Sequence, residues 1–178
     1  MLEDRILIWK SKRGDKRAFD VLYEKYVDGL LTVAMSLLGS ASEAEEVVQD
    51  VFSSFVESLP SFELRGSLKG FLATCVANRS RDRIRTRKHR KPVEHAAPQN
   101  SASEPLDLII RNEQVCRLQQ AVCELPCEQR EVIVLKIHAG LSFRAMAREL
   151  GISLGTVQSR YRYGIDRLRA LLDGEVVK

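Results

Sequence analysis

Apolar residues recur at intervals of three and four along almost the whole chain, with almost no alternating stretch, and this period predicts an all-α fold. A short N-terminal helix carries Ile6, Leu7 and Trp9. A longer helix over residues 16–38 places Phe19, Leu22, Tyr23, Tyr26, Leu30, Val33, Ala34 and Leu37 on one stripe, and Gly39 ends it. Ser42-Glu-Ala-Glu45 reads as a capping box that opens the next helix, whose stripe is Ala44, Val48, Val51, Phe52, Phe55 and Leu59 before Pro60 stops it. A fourth helix begins near Ser67, with Leu68, Phe71, Leu72, Cys75 and Val76 as its buried side. Residues 92–105 lose the helical period and hold three prolines, so they read as a flexible linker. Beyond it, a helix over 106–124 uses Leu108, Ile109, Val115, Leu118 and Val122, and Pro126 opens another that ends near Gly140. The pattern therefore divides the chain into two small helical domains, 1–91 and 106–178, joined by 92–105.

The segment from Gly140 to Tyr163 reads as a helix-turn-helix, which makes the second domain a tetrahelical, winged-helix-like module. Ser142 caps its first helix, Ala147 is small enough for a second helix to cross close by, Gly151 supplies the left-handed turn, and Ser153 caps the helix that follows. Val157 falls ten residues after Ala147, where an apolar side chain locks the crossing. Ser153, Thr156, Gln158, Ser159, Arg160 and Arg162 then form a polar, basic face of residue types that reach base edges and phosphates. Val157, Tyr161, Gly164 and Leu168 face inward.

Charge sharpens the picture by its distribution. The 178 residues carry a formal charge of +4, yet no Lys or Arg lies between Tyr26 and Leu64, against seven acidic residues. From Arg65 to Lys91 there are ten Lys or Arg against the single Asp82. Such segregation implies different partners for neighbouring surfaces, one of them nucleic acid. The basic run follows the aromatics Phe62 and Phe71. Arginines for phosphates beside aromatics for exposed bases suit a strand of DNA held single. Fully extended, the linker reaches at most about 45 Å, enough to set two domains on DNA sites more than one turn of about 34 Å apart.

No apolar run approaches a membrane span, and the N-terminus lacks the layout of a signal peptide, so a cytoplasmic protein is expected. Cys75, Cys116, Cys123 and Cys127 are then reduced thiols. A redox or metal site built from Cys116, Cys123, Cys127 and His138 is a competing reading, weakened by the lack of any Cys-x-x-Cys pair. No catalytic constellation is visible, and no cofactor or metal is expected. A second competing reading is a stand-alone helix-turn-helix regulator that dimerises through its first domain.

The order of these motifs resembles the extracytoplasmic-function sigma factors, the smallest two-domain members of the bacterial RNA polymerase sigma family. Residues 44–52, Ala-Glu-Glu-Val-Val-Gln-Asp-Val-Phe, are similar to the family segment that docks on the clamp helices of the polymerase β′ subunit. The resemblance implies that Glu43, Glu46, Gln49, Asp50 and Ser53 contact polymerase. Residues 66–85 resemble the segment that melts and reads the minus-ten promoter element, which implies strand capture by Phe62, Phe71, Asn78, Arg79, Asp82 and Arg83. Residues 125–135 and 140–160 resemble the part that reads the minus-thirty-five element and touches the β flap, assigning the face from Ser153 to Arg162 to upstream DNA. The resemblance also implies an anti-sigma partner. Three features depart from the family pattern: Phe71 stands where tryptophan is common, Arg79 and Arg81 where apolar residues are common, and Tyr163 and Ile165 where basic residues are common.

Overall fold

The computed structural model describes residues 2–89 and 106–173, and the linker expected at 92–105 lies outside them. The described residues form α1 (Leu2–Lys12), α2 (Lys16–Leu38), α3 (Ala41–Ser58), a 3-10 turn (Leu59–Ser61), α4 (Leu68–His89), α5 (Leu106–Glu124), α6 (Cys127–Ile137), α7 (Phe143–Leu150) and α8 (Leu154–Asp173). Every element among them is helical, as the apolar period requires.

α2 is the central post of the first half, packed by α1, α3 and α4. Its stripe buries Leu22, Leu30, Val33, Ala34 and Leu37 against Val47, Val48, Val51, Leu68, Leu72 and Val76. Tyr23, expected on that stripe, is instead 41% exposed, its ring lying 4.7 Å from that of Phe52 at the core's edge. The α3 cap also differs from expectation. Ser40, not Ser42, caps the helix, its Oγ accepting from the Glu43 N–H at 3.4 Å. Ser40-Ala-Ser-Glu43 and Ser42-Glu-Ala-Glu45 are overlapping capping boxes in sequence.

Short α1 is clamped to α2 by polar chemistry. The Asp4 carboxylate, almost wholly buried, accepts from Tyr26 Oη at 2.8 Å and from Lys25 Nζ at 2.9 Å. Burial works to raise the Asp4 carboxyl, but these two donors outweigh it and hold the group below its ordinary 3.8. Burial and the bond to Asp4 push the Tyr26 hydroxyl up to about 12. A carboxyl with a depressed folded value contributes stability above its unfolded value and loses it as pH falls through the folded one. We therefore expect α1 to loosen below pH 3.8, and an absorbance titration to show one tyrosine ionising at about 12. Asp4→Asn should bring that tyrosine down towards 10; an unchanged titration would dismiss the clamp.

The second half packs α8 across α6 and α7. Met146 and Val157 are fully buried at the crossing, and Gly151 ends α7 at φ 66°, its N–H bonding the Ala147 carbonyl. Ser142 caps α7 through the Ala145 N–H, and Ser153 caps α8 through the Thr156 N–H at 3.0 Å. Gly164 lets α8 lie on α6, since a Cβ there would stand 2.7 Å from Ile133 Cδ1 and 3.2 Å from Gln129 Cβ. Gly164→Val should thus cost about 1–3 kcal/mol by overpacking, read as a lowered denaturation midpoint; an unshifted midpoint would contradict this packing. Val115 and Leu118, expected on the buried side of α5, are 50% and 45% exposed, because α5 packs on α2 and α8 and leaves that face open. Leu108 and Ile109 lie outside the described side chains.

The two halves meet. α6 packs on α2 and α4, and one hydrophobic cluster runs through both groups of helices. Arg130 of α6 donates to the carbonyls of Leu37 at 2.7 Å and Leu125 at 3.0 Å, and also to that of Cys123. Arg81 of α4 pairs with Glu131 of α6, whose side chain is 3% exposed. Burial pushes the Glu131 carboxyl up from its ordinary value while Arg81 opposes that push.

Candidate nucleic-acid and polymerase interface

Three groups of side chains stand out in the sequence, and each occupies a distinct helix surface. The acidic group lies on α3, where Glu46, Gln49, Asp50 and Ser53 are exposed and Glu43 is half-buried. Residues 43, 46, 50 and 53 recur at helical spacing, so one face presents them together.

The aromatic and basic group lies just before α4 and along it. Phe62 and Phe71 are half-buried with centroids 4.9 Å apart, and Phe62 also meets Phe55 edge-on at 5.1 Å. Both rings of the pair contact the buried Phe55. Asn78 is half-buried, while Arg79 and Asp82 are exposed.

Sequence reasoning missed how these two groups meet. Arg79, Arg83 and Arg87 reach across the antiparallel α3 to Asp50 at 3.6 Å, Glu46 at 2.6 Å and Glu43 at 3.7 Å. Arg79 also donates to Ser54 Oγ at 2.9 Å, and Arg83 to the Glu43 carbonyl at 3.3 Å. The arginines of the basic run are thus partnered by the carboxylates of the acidic face. Exposed pairs of this kind contribute only about 0–1 kcal/mol each, so a stronger partner on either side readily replaces them. Their sequence signal is opposite charges repeating every three or four residues on two consecutive helices. Arg81, out of place in the sequence pattern, points away from this ladder to the buried Glu131.

The third group lies on α8. Ser153, Thr156, Gln158 and Arg162 are exposed, and Ser159 and Arg160 half-buried. Val157 and Gly164 are buried and Tyr161 half-buried, its ring 5.2 Å from that of Phe143. The polar face is therefore turned out by the packing of the apolar one. Ser153 and Thr156 share a hydroxyl contact of 2.8 Å at the helix start, and Arg162 lies over the Tyr163 ring at 4.9 Å.

The cysteines show a different environment. Burial pushes the Cys75 and Cys127 thiols up from their ordinary value, which disfavours the thiolate needed for metal or redox chemistry. Among the described residues, no group of three or more His, Cys, Asp or Glu is placed to hold a metal ion. Nor is any described helix long and apolar enough to cross a membrane.

Comparison with known proteins finds two family matches along the chain. The family described as Sigma-70 region 2 matches residues 22–90, and that described as Sigma-70, region 4 matches residues 117–168. The chain is 30% identical over 156 residues to the ECF RNA polymerase sigma factor RpoE of Cereibacter sphaeroides, covering 87% of this chain and 86% of that one. It is 29% identical to the ECF RNA polymerase sigma factor SigW of Bacillus subtilis, over 97% of both chains. Among solved structures, CnrH in complex with the cytosolic domain of CnrY matches with a TM-score of 0.73 and 26% identity, over 97% of this chain and 99% of that one. The sigma factor RpoE in complex with the anti-sigma factor NepR, from Bartonella quintana, gives 0.71 and 27%, over 87% and 96%.

Proposed function

The chain belongs to the extracytoplasmic-function sigma factors of the sigma-70 family and so directs promoter-specific transcription initiation by RNA polymerase; from that premise we propose how its surfaces divide the work. Glu43, Glu46, Gln49, Asp50 and Ser53 dock on the β′ clamp helices. Ser153, Thr156, Gln158, Ser159, Arg160 and Arg162 enter the major groove of the minus-thirty-five element, and the domain bearing them touches the β flap. Phe62, Phe71, Asn78, Arg79, Asp82 and Arg83 hold the separated strand of the minus-ten element. Residues 1–91 and 106–178 are the two working units, with 92–105 spanning between their DNA sites.

The observation that carries this reading is the ladder joining α3 to α4. Polymerase cations drawn to Glu46 and Asp50 release Arg83 and Arg79 towards phosphate, so docking and strand capture reinforce each other. Extruding a base costs a few kcal/mol, which stacking and phosphate contacts offset once the guanidinium groups are free. The chain itself supplies recognition and no bond-making chemistry, and it works in the cytoplasm beside polymerase.

The fold shared with CnrH and with RpoE, each solved with a partner, supports an anti-sigma factor as a further partner of this chain. The stand-alone dimeric regulator is not favoured, because both halves match sigma regions. Promoter selection from a random library, comparing wild-type holoenzyme with one carrying Arg160→Ala, tests the α8 assignment. Removing a side chain that reads a base edge should cost about 1–3 kcal/mol of discrimination, so upstream preference relaxes while downstream preference persists. Unchanged upstream preference would remove Arg160 from the reading face.

A further inference from the structure

A cavity of about 220 Å³ lies where the two halves meet, walled by α2, by the first turns of α4 and by the turn after α6. Its floor is apolar, with Leu30 and Val33 of α2, Ala73 of α4 and Ala139 after α6 all buried. Lys25, Lys69 and His138 stand in its lining, and no carboxylate does among the described residues. The Lys25 ammonium is already shared by Glu3 at 2.7 Å and Asp4 at 2.9 Å. Lys69, in the first turn of α4 where the helix dipole adds positive potential, makes no ion pair with any described residue. Burial, with Lys69 beside it, pulls the His138 imidazole below its ordinary value. The remaining wall is Gly29, inside the 23-residue α2, where glycine is less favourable than alanine. A Cβ there would meet nothing within 4 Å, so no packing within the chain requires the glycine. It leaves backbone bare beside the cavity, as suits the close approach of a ligand.

An apolar floor under an unpaired ammonium and an imidazole suits a compact apolar body that carries one anionic group, a carboxylate or a phosphate. The volume lies below the roughly 300–1,000 Å³ of drug-sized sites, which limits the body to about a single ring. We propose that this cavity binds a small organic acid, its apolar body on Leu30, Val33 and Ala139 and its anionic group between Lys69 and His138, and that the bound acid holds the two halves together. His138 and Ala139 come from the second half and the rest of the lining from the first, so the site is complete only while α6 packs on α2 and α4. A ligand that binds one arrangement alone stabilises that arrangement in proportion to its occupancy. The halves must part for 92–105 to span their DNA sites, so the acid opposes promoter engagement. This last step rests on the division of labour proposed above.

Histidine NMR of the full chain reads the site, since His138 is one of three histidines and His138→Gln assigns its signal. Phenyl phosphate, and benzoate more weakly, should shift that signal saturably. Inorganic phosphate and benzyl alcohol, each with half of the chemistry, should bind at least about tenfold more weakly than phenyl phosphate. Lys69→Ala should weaken phenyl phosphate binding about tenfold. Gly29→Leu, which fills the space beside the bare backbone, should abolish binding while the chain stays folded. The absence of a His138 shift, equal binding by inorganic phosphate, or undiminished binding by Gly29→Leu would each overturn the proposal. In a titration of labelled core RNA polymerase, phenyl phosphate at about ten times its Kd should weaken association of the wild type about tenfold and leave Gly29→Leu unaffected. A shift at His138 with core affinity unchanged would overturn the claim that the acid holds the halves together. If the chain fails to bind core with or without phenyl phosphate, the polymerase-docking reading falls by itself, and the NMR titration still decides the cavity.

Discussion

Asp50→Arg is expected to abolish stable association with core RNA polymerase while leaving the chain folded. Asp50 is exposed in the middle of the α3 face, and its contact with Arg79 at 3.6 Å is a surface pair, whose loss costs about 0–1 kcal/mol. The fold therefore tolerates the change. A partner surface complementary to Glu43, Glu46 and Asp50 instead meets a misplaced cation, and like charges brought together in an interface cost several kcal/mol. At 1.4 kcal/mol per tenfold, the loss of affinity should be about 100-fold or more. Fluorescence titration of labelled core with wild type, Asp50→Asn and Asp50→Arg checks this, with Asn expected to fall between. Equal affinities would move the docking site away from α3.

Val157→Asp should separate the two DNA-binding activities. Val157 is fully buried where α7 and α8 cross, and a carboxylate there has water removed on every side with no cation supplied. An uncompensated buried charge of this sort costs about 3–5 kcal/mol, a large share of the 5–15 kcal/mol that holds a typical domain folded. The helix-turn-helix is expected to melt locally, seen as rapid proteolysis after residue 140 and loss of upstream DNA binding. The first half, built on α2, should stay folded and still bind polymerase. Retained upstream binding would mean that α8 is not held in place by this crossing.

Much of the fold was legible because helices announce themselves by period. The α7–turn–α8 unit was readable to single residues, since Ser142, Gly151, Ser153 and Val157 each act within a few residues of themselves. What sequence obscured depends on long-range placement. Either Ser40 or Ser42 satisfies the local rule for capping α3, and the structure selects Ser40. Val115 and Leu118 have the right period for burial, but no neighbour covers them fully. The pairing of Arg79, Arg83 and Arg87 with carboxylates some thirty to forty-four positions earlier requires the antiparallel register of α3 and α4. Arg81 stood out in the sequence only as a charge at a commonly apolar position, and its partner Glu131 is supplied by α6, fifty residues away.

The most direct measurement mixes the purified chain with core RNA polymerase and follows the mixture by size exclusion, then asks whether the isolated peak initiates from a cognate promoter. Co-elution in a single complex that supports specific initiation, with Asp50→Arg eluting apart, is the result expected. A chain that elutes alone as a dimer and binds duplex DNA without polymerase would contradict the account.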